Sequence, residues 1–241
     1  MIPPPLNGVC RVLGVDLCAD EGETSAAACL LWTGTVWRLE QTPTLNDDQA
    51  ILKEIENAEV VALDGPRRPP RGFVDFVAKG ESPPTDCARS RSCEREHTRR
   101  VCPIFYSSPV ATLGMQRWMR RSWKLFSASD QKPLEIYPMG GFVSTLNGVQ
   151  ERKPHELPSK SSRAGRKARL SILKQLLGPD VEPFAERQQG GEKAHDRVDA
   201  IMAAATAAAY SAQRYVSMGD DTDGRIVVPD LNRVLPAGFS L

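Results

Sequence analysis

Two short apolar runs in this chain end on a carboxylate: Val12-Leu13-Gly14-Val15-Asp16, and Glu59-Val60-Val61-Ala62-Leu63-Asp64. Runs of this length and β-rich composition leave little for solvent on either face, so they read as buried central strands. An Asp at the end of such a strand is costly to desolvate unless a cation meets it. As parallel neighbours the two strands set Asp16 beside Asp64, and two like charges at short range are tolerated mainly with a divalent ion between them. Taken alone, Asp64 is equally well read as the cap of the turn at Gly65-Pro66.

The intervening chain supplies the connection that parallel strands need. The first strand is expected over Val9–Cys18, followed by strands at Thr24–Thr33 and Thr35–Gln41 joined by the tight turn at Thr33-Gly34, an antiparallel meander. Asn46–Ala58 reads as a crossover helix: Asn46 caps it, Asp47 and Asp48 suit its positive end, and Ile51, Leu52 and Ile55 form its apolar stripe. The fold class expected is α/β, a mixed sheet of three antiparallel strands and then parallel ones, flanked by helices. With 241 residues and 41% apolar content one core suffices for residues 1–241.

After Asp64 the composition changes. Residues 67–126 form a basic insertion, Pro- and Arg-rich at first, which predicts a surface excursion, and then a helix at Pro109–Phe126. Met115, Trp118, Met119, Ser122, Leu125 and Phe126 line one side of that helix, and Arg117, Arg120, Arg121 and Lys124 the other. The tryptophans Trp118 and Trp123 suit packing on the core or stacking on bases. From Arg67 to Lys124 there are 13 Lys and Arg against 5 Asp and Glu, and from Glu151 to Lys174 another 8 against 2, although the net charge is only +1. Two basic blocks on an acidic remainder suggest a polyanion-binding surface, with a solvated loop face as the plainer reading.

Downstream, Lys132–Pro138 is a short strand that carries Glu135 between apolar neighbours, a third carboxylate at the same sheet edge if the strand lies beside the other two. Gly140–Leu146 and Ala164–Leu177 are helical, the latter with Leu170, Leu173, Leu176 and Leu177 inward. Ala194–Ala212 is an Ala-rich helix able to approach a sheet closely. Asp196 and Asp199, three residues apart, project from nearly one face of it. His195 precedes them, as a proton shuttle or as a packing histidine.

The order of Gly14-Val15-Asp16, Ala62-Leu63-Asp64-Gly65-Pro66, Arg91-Ser92-Cys93-Glu94, Glu135-Ile136-Tyr137-Pro138, Gly165-Arg166 with Arg169-Leu170, and His195-Asp196-Arg197-Val198-Asp199-Ala200 resembles the family called domain of unknown function 429. The likeness runs from about Val12 to Pro229, including a tail strand at Gly224–Pro229 within a C-terminal extension at 216–241. It implies a ribonuclease-H-like fold and a nuclease-like activity. By analogy with nucleases and Holliday-junction resolvases of that fold, Asp16, Asp64 or Glu135, and the Asp196/Asp199 pair would hold two Mg²⁺ or Mn²⁺ ions. Basic residues (Arg91, Arg117, Arg120, Arg121, Lys124, Lys160 and Arg166) would meet nucleic-acid phosphates, and Arg91, Cys93 and Glu94 would frame a substrate pocket. Resolvases of this fold work as dimers, so a homodimer is an open expectation.

Two further readings remain open. An ATP-dependent phosphotransferase of the related actin-like fold begins with a similar strand, but Leu17-Cys18-Ala19-Asp20 lacks the Gly-Thr phosphate turn. A non-catalytic nucleic-acid binder would keep the basic face without chemistry. Cys87, Cys93, His97 and Cys102 fall within sixteen residues, but not at the tight spacing of structural zinc knuckles. No run of 18 apolar residues and no apolar leader occurs, so the expected location is the cytoplasm, with reduced thiols and no membrane partner.

Overall fold

Asp16 and Asp64 are direct register partners of two parallel strands. In a computed structural model of the chain, which describes residues 1–6, 8–40, 45–70, 90–104, 112–149, 157–186 and 194–231, strand β1 (Arg11–Asp16) pairs with β4 (Val60–Asp64) from Val12↔Val60 to Asp16↔Asp64. On its other side β1 pairs antiparallel with β2 (Ala26–Trp32), which pairs antiparallel with β3 (Trp37–Glu40). Beyond β4 follow β5 (Leu134–Ile136) and β7 (Gly224–Pro229), both parallel. The antiparallel edge strand is β6 (Tyr215–Asp220), giving the order β3-β2-β1-β4-β5-β7-β6. The mixed α/β sheet is thus as expected, and β6 is the strand the sequence reading did not resolve.

The helices are α1 (Asp48–Glu56), α2 (Ser92–Arg100), α3 (Leu113–Ala128), α4 (Pro138–Asn147), α5 (Arg163–Leu177), α6 (Val181–Glu186) and α7 (Ala194–Ser211). The crossover helix α1 starts two residues later than expected, because Asp47 and not Asn46 caps it. The Asp47 carboxylate accepts from the Ala50 amide at 2.7 Å, while Asn46 accepts from the Thr24 hydroxyl at 3.1 Å. Ser162 caps α5 through the Gly165 amide at 3.0 Å. Inside the expected basic excursion, α2 is a helix packed on β6 and β7.

Two cores lie on the two faces of the sheet. Strand alternation sends Val12 and Gly14 of β1 and Ala62 of β4 toward α7, and Leu13, Val15 and Leu63 toward α1 and α3. The α7 contact depends on small residues from both partners. A Cβ on Gly14 would lie 2.1 Å from the Ala204 amide nitrogen and 2.4 Å from the Ala200 carbonyl, so helix backbone rests on strand backbone. The alanines from Ala203 to Ala209 are accordingly sealed from solvent. No described helix is long and apolar enough to cross a membrane.

Candidate functional site

The C-terminal ends of β1 and β4 and the first turns of α7 meet at one point. Asp16 lies in register with Gly14 on the α7 face of the sheet, and the Asp16 and Asp64 carboxyl groups share a hydrogen bond. Asp199 comes down from α7 one turn before Ala203, and its Oδ2 accepts from Lys160 Nζ at 2.6 Å. Asp16 is 9% and Asp199 4% exposed. Burial raises the Asp16 pKa well above the ordinary carboxylate range, and the charges of Asp64 and Asp199 push it further. Burial raises Asp199 as well, with Lys160 opposing. Three carboxylates therefore crowd around one ammonium group.

Lys160 is the cation of this centre. Burial works against its charge, but Asp199, Asp16 and Asp64 more than offset that and raise its pKa. Its short segment is fixed by Arg169, a residue whose role the sequence reading missed. Arg169 Nη1 donates to the Pro158 carbonyl at 2.9 Å and to the Gly165 carbonyl at 3.0 Å, and its guanidinium lies over the Phe142 ring. Gly165 is needed there, since a Cβ would meet the Ser159 carbonyl at 1.9 Å. The signal was present in the sequence: Arg169 stands four and seven residues before Leu173 and Leu176, a charge within the apolar stripe of α5. Tyr137 was missed too. Burial raises its phenol, with Cys102, Asp64 and Asp199 adding to the shift.

Asp196 is half-exposed on the next turn of α7 toward its N-terminus, 3.1 Å from His195 Nε2. Together with Asp16, Asp64 and Lys160 it lines a cavity of about 540 Å³, whose lining also includes Leu17, Met115 and Trp118. As the side chains stand, no group of three or more His, Cys, Asp or Glu among the described residues is arranged as metal ligands. The carboxyl–carboxyl hydrogen bond and Lys160 occupy the oxygens instead. The donor set still suits a hard divalent cation: it is all oxygen, and three carboxylates face one ammonium group.

Glu135 does not join this centre. Its register partners are Leu63 and Ile226, both in the core on the α1 and α3 face, one residue out of phase with Asp64. A one-residue offset turns a strand side chain to the opposite face. There the Glu135 carboxylate receives both terminal nitrogens of Arg91, with Nη1 at 2.8 Å, and the Arg67 amide at 2.9 Å. Arg91 Nε also donates to Glu94 Oε1 at 2.9 Å, and the Arg91 amide to Glu94 Oε2 at 2.9 Å. Arg91 is 0% exposed, so no polyanion reaches it, and with Glu94 and Cys93 also buried these residues form a knot of ion pairs. Of the four residues considered for zinc, Cys87 lies outside the described residues. Cys93 and Cys102 are free thiols in different cores, and the His97 ring is bonded to the Cys102 carbonyl at 2.9 Å.

The basic face of α3 is largely committed to acids of its own chain. Arg121 is buried against Asp48 at 2.8 Å and the Asp20 carbonyl at 2.8 Å, Lys124 meets Asp48 at 3.0 Å and Glu21 at 3.4 Å, and Arg117 meets Asp20 at 3.2 Å. Arg120 is exposed and Arg166 half-buried.

No curated protein and no solved structure matches the chain. The family described as Protein of unknown function (DUF429) matches residues 14–223, from the glycine under α7 to the turn between β6 and β7, and the chain belongs to that family.

Proposed function

We propose that this chain is a metal-dependent phosphodiesterase of ribonuclease-H-like design that hydrolyses nucleic acid, with Asp16, Asp64 and Asp199 as ligands of Mg²⁺ or Mn²⁺ and Asp196 as an outer one. The observation that carries the reading is three carboxylates from three separate elements, Asp16 and Asp199 buried and Asp64 half-buried, gathered around a single lysine at the carboxyl end of parallel strands. Clustered acids of this kind are costly to a fold and accumulate where chemistry needs them. The sheet order, a three-strand antiparallel meander followed by parallel strands, supports the ribonuclease-H-like assignment.

Bound ions would supply an activated water and charge for the departing oxygen. The remaining work falls to the chain. Asp16 and Asp64 are held in register by the β1–β4 ladder, and Asp199 by the close seat of α7 on Gly14, so the backbone that carries the three carboxylates is fixed. Lys160 stands on the cavity wall, where its ammonium can meet a phosphate oxygen. His195 is engaged with Asp196, which favours orienting that carboxylate over shuttling protons. The pairing of Arg91 with Glu135 assigns Glu135 to the fold and not to the ligand set.

The test is hydrolysis of labelled oligonucleotides in Mn²⁺ or Mg²⁺ by wild type, Asp16→Asn and Asp64→Asn. Metal-dependent products that both variants lose are expected. A folded wild type that gives no products with either ion contradicts the proposal.

A further inference from the structure

We infer that the substrate of this site is a short or frayed single strand, one nucleotide at a time, with its base against the Trp118–Met115 wall, and not a duplex laid along α3. The inference rests on the phosphodiesterase reading and adds the substrate class to it.

The first support is the charge around the cavity. A duplex presents roughly one negative charge per 1.7 Å, and proteins that hold it do so with basic side chains free to replace counterions. Beside this cavity, on α3 and the β1–β2 connection, Arg117, Arg121 and Lys124 are matched by Asp20, Glu21 and Asp48. Glu23 at the cavity edge adds one acid and the exposed Arg120 of α3 one base, so these described residues sum to no net charge. The cavity floor holds Asp16, Asp64 and Asp196 against Lys160. Bases already paired to acids of their own chain offer a duplex little to replace its counterions, while a single phosphodiester would be met by divalent ions on the carboxylates and by Lys160.

The second support is shape. At about 540 Å³ the cavity falls within the ~300–1,000 Å³ of small-ligand sites. Its lining combines carboxylates and Lys160 with Leu17, Met115 and Trp118, the last with 9% of its surface exposed. A nucleotide has the same combination, a charged phosphate and a flat apolar base, and base contact with an aromatic wall is tolerant of sequence. A base reaches such a wall only when it is out of a duplex stack.

The experiment uses the full chain in Mn²⁺ with a labelled single-stranded octamer, the same octamer with one abasic residue, and the same sequence inside a blunt duplex. Cleavage of the octamer at least about tenfold faster than of the duplex is expected, with a loss of roughly tenfold at the bonds flanking the abasic residue. In the double variant Glu21→Lys/Glu23→Lys, duplex affinity should rise severalfold and become more salt-dependent. Duplex cleavage equal to or faster than single-strand cleavage overturns the inference and leaves the phosphodiesterase reading standing. Equal cleavage of intact and abasic strands removes the base contact. Cleavage of none of the three overturns the phosphodiesterase reading, and the inference with it.

Discussion

The two faces of one sheet each bury a cluster of charge, and the clusters are built differently. On the α1 and α3 face, Arg91 spreads its guanidinium over Glu94 and Glu135, backbone amides of Arg91 and Arg67 complete the carboxylates, and the whole is closed to solvent. On the α7 face, Asp16, Asp64 and Asp199 crowd around one ammonium beside an open cavity. A buried ion cluster with every oxygen engaged ties chain segments together, whereas one left short of positive charge is a site waiting for a cation. Here the knot joins the exit of β4, the start of α2 and the middle of β5, three segments distant in sequence.

That contrast predicts opposite responses to mutation. The largest effect is expected at the closed cluster: Arg91→Met strands two buried carboxylates and should cost about 3–5 kcal/mol in chemical denaturation. A loss under about 1 kcal/mol would mean that the knot is dispensable. At the open cluster, Asp16→Asn should lower metal-dependent hydrolysis at least about a hundredfold, the loss expected when a metal site is dismantled. The same variant should be more stable than wild type by about 1–2 kcal/mol at neutral pH without metal, because it removes a repelled, buried charge.

The stability gain has a defined pH dependence. The pKa of Asp16 is raised in the folded chain from 3.8, so between that value and its raised one the folded state binds more protons than the unfolded state. Stability contributed by the group is then full below about pH 4 and is lost as pH rises through the folded pKa. Asp199 shifts in the same direction. Denaturation of wild type and Asp16→Asn should therefore diverge above pH 4 and converge below it; parallel curves would count against a raised Asp16 pKa. The smallest effect is expected at Lys160. Lys160→Met removes the resident cation and should tighten Mn²⁺ binding roughly tenfold in a calorimetric titration. Unchanged affinity would mean that Lys160 and the ion do not compete for the same oxygens.

Much of this was legible in the sequence, for a physical reason. A strand buried on both faces has to be apolar throughout, so the Asp at the end of β1 and of β4 stood out, and the crossover helix between them forced parallel pairing. The Ala run of α7 opposite Gly14 announced a close helix–sheet contact. Glu135 was harder. Its position at the same edge was readable, but which face it took depended on register, and a one-residue offset from Asp64 decided that. The arginines of α3 showed the same limit: helical spacing placed them on one side, but their acids come from the β1–β2 connection and the first residue of α1, contacts that no local period encodes. Lys160 was read as a phosphate ligand from its basic block. That it enters the carboxylates depends on the Arg169 clamp and the tight seat of Gly165.

The most direct measurement is a calorimetric titration of the folded chain with Mn²⁺, repeated on Asp64→Asn and Glu135→Gln, with circular dichroism confirming that each is folded. Binding by wild type and by Glu135→Gln, lost in Asp64→Asn, is the predicted result, since only the open cluster offers oxygens to an ion. No binding by the folded wild type, or binding that survives Asp64→Asn and disappears in Glu135→Gln, would contradict the account.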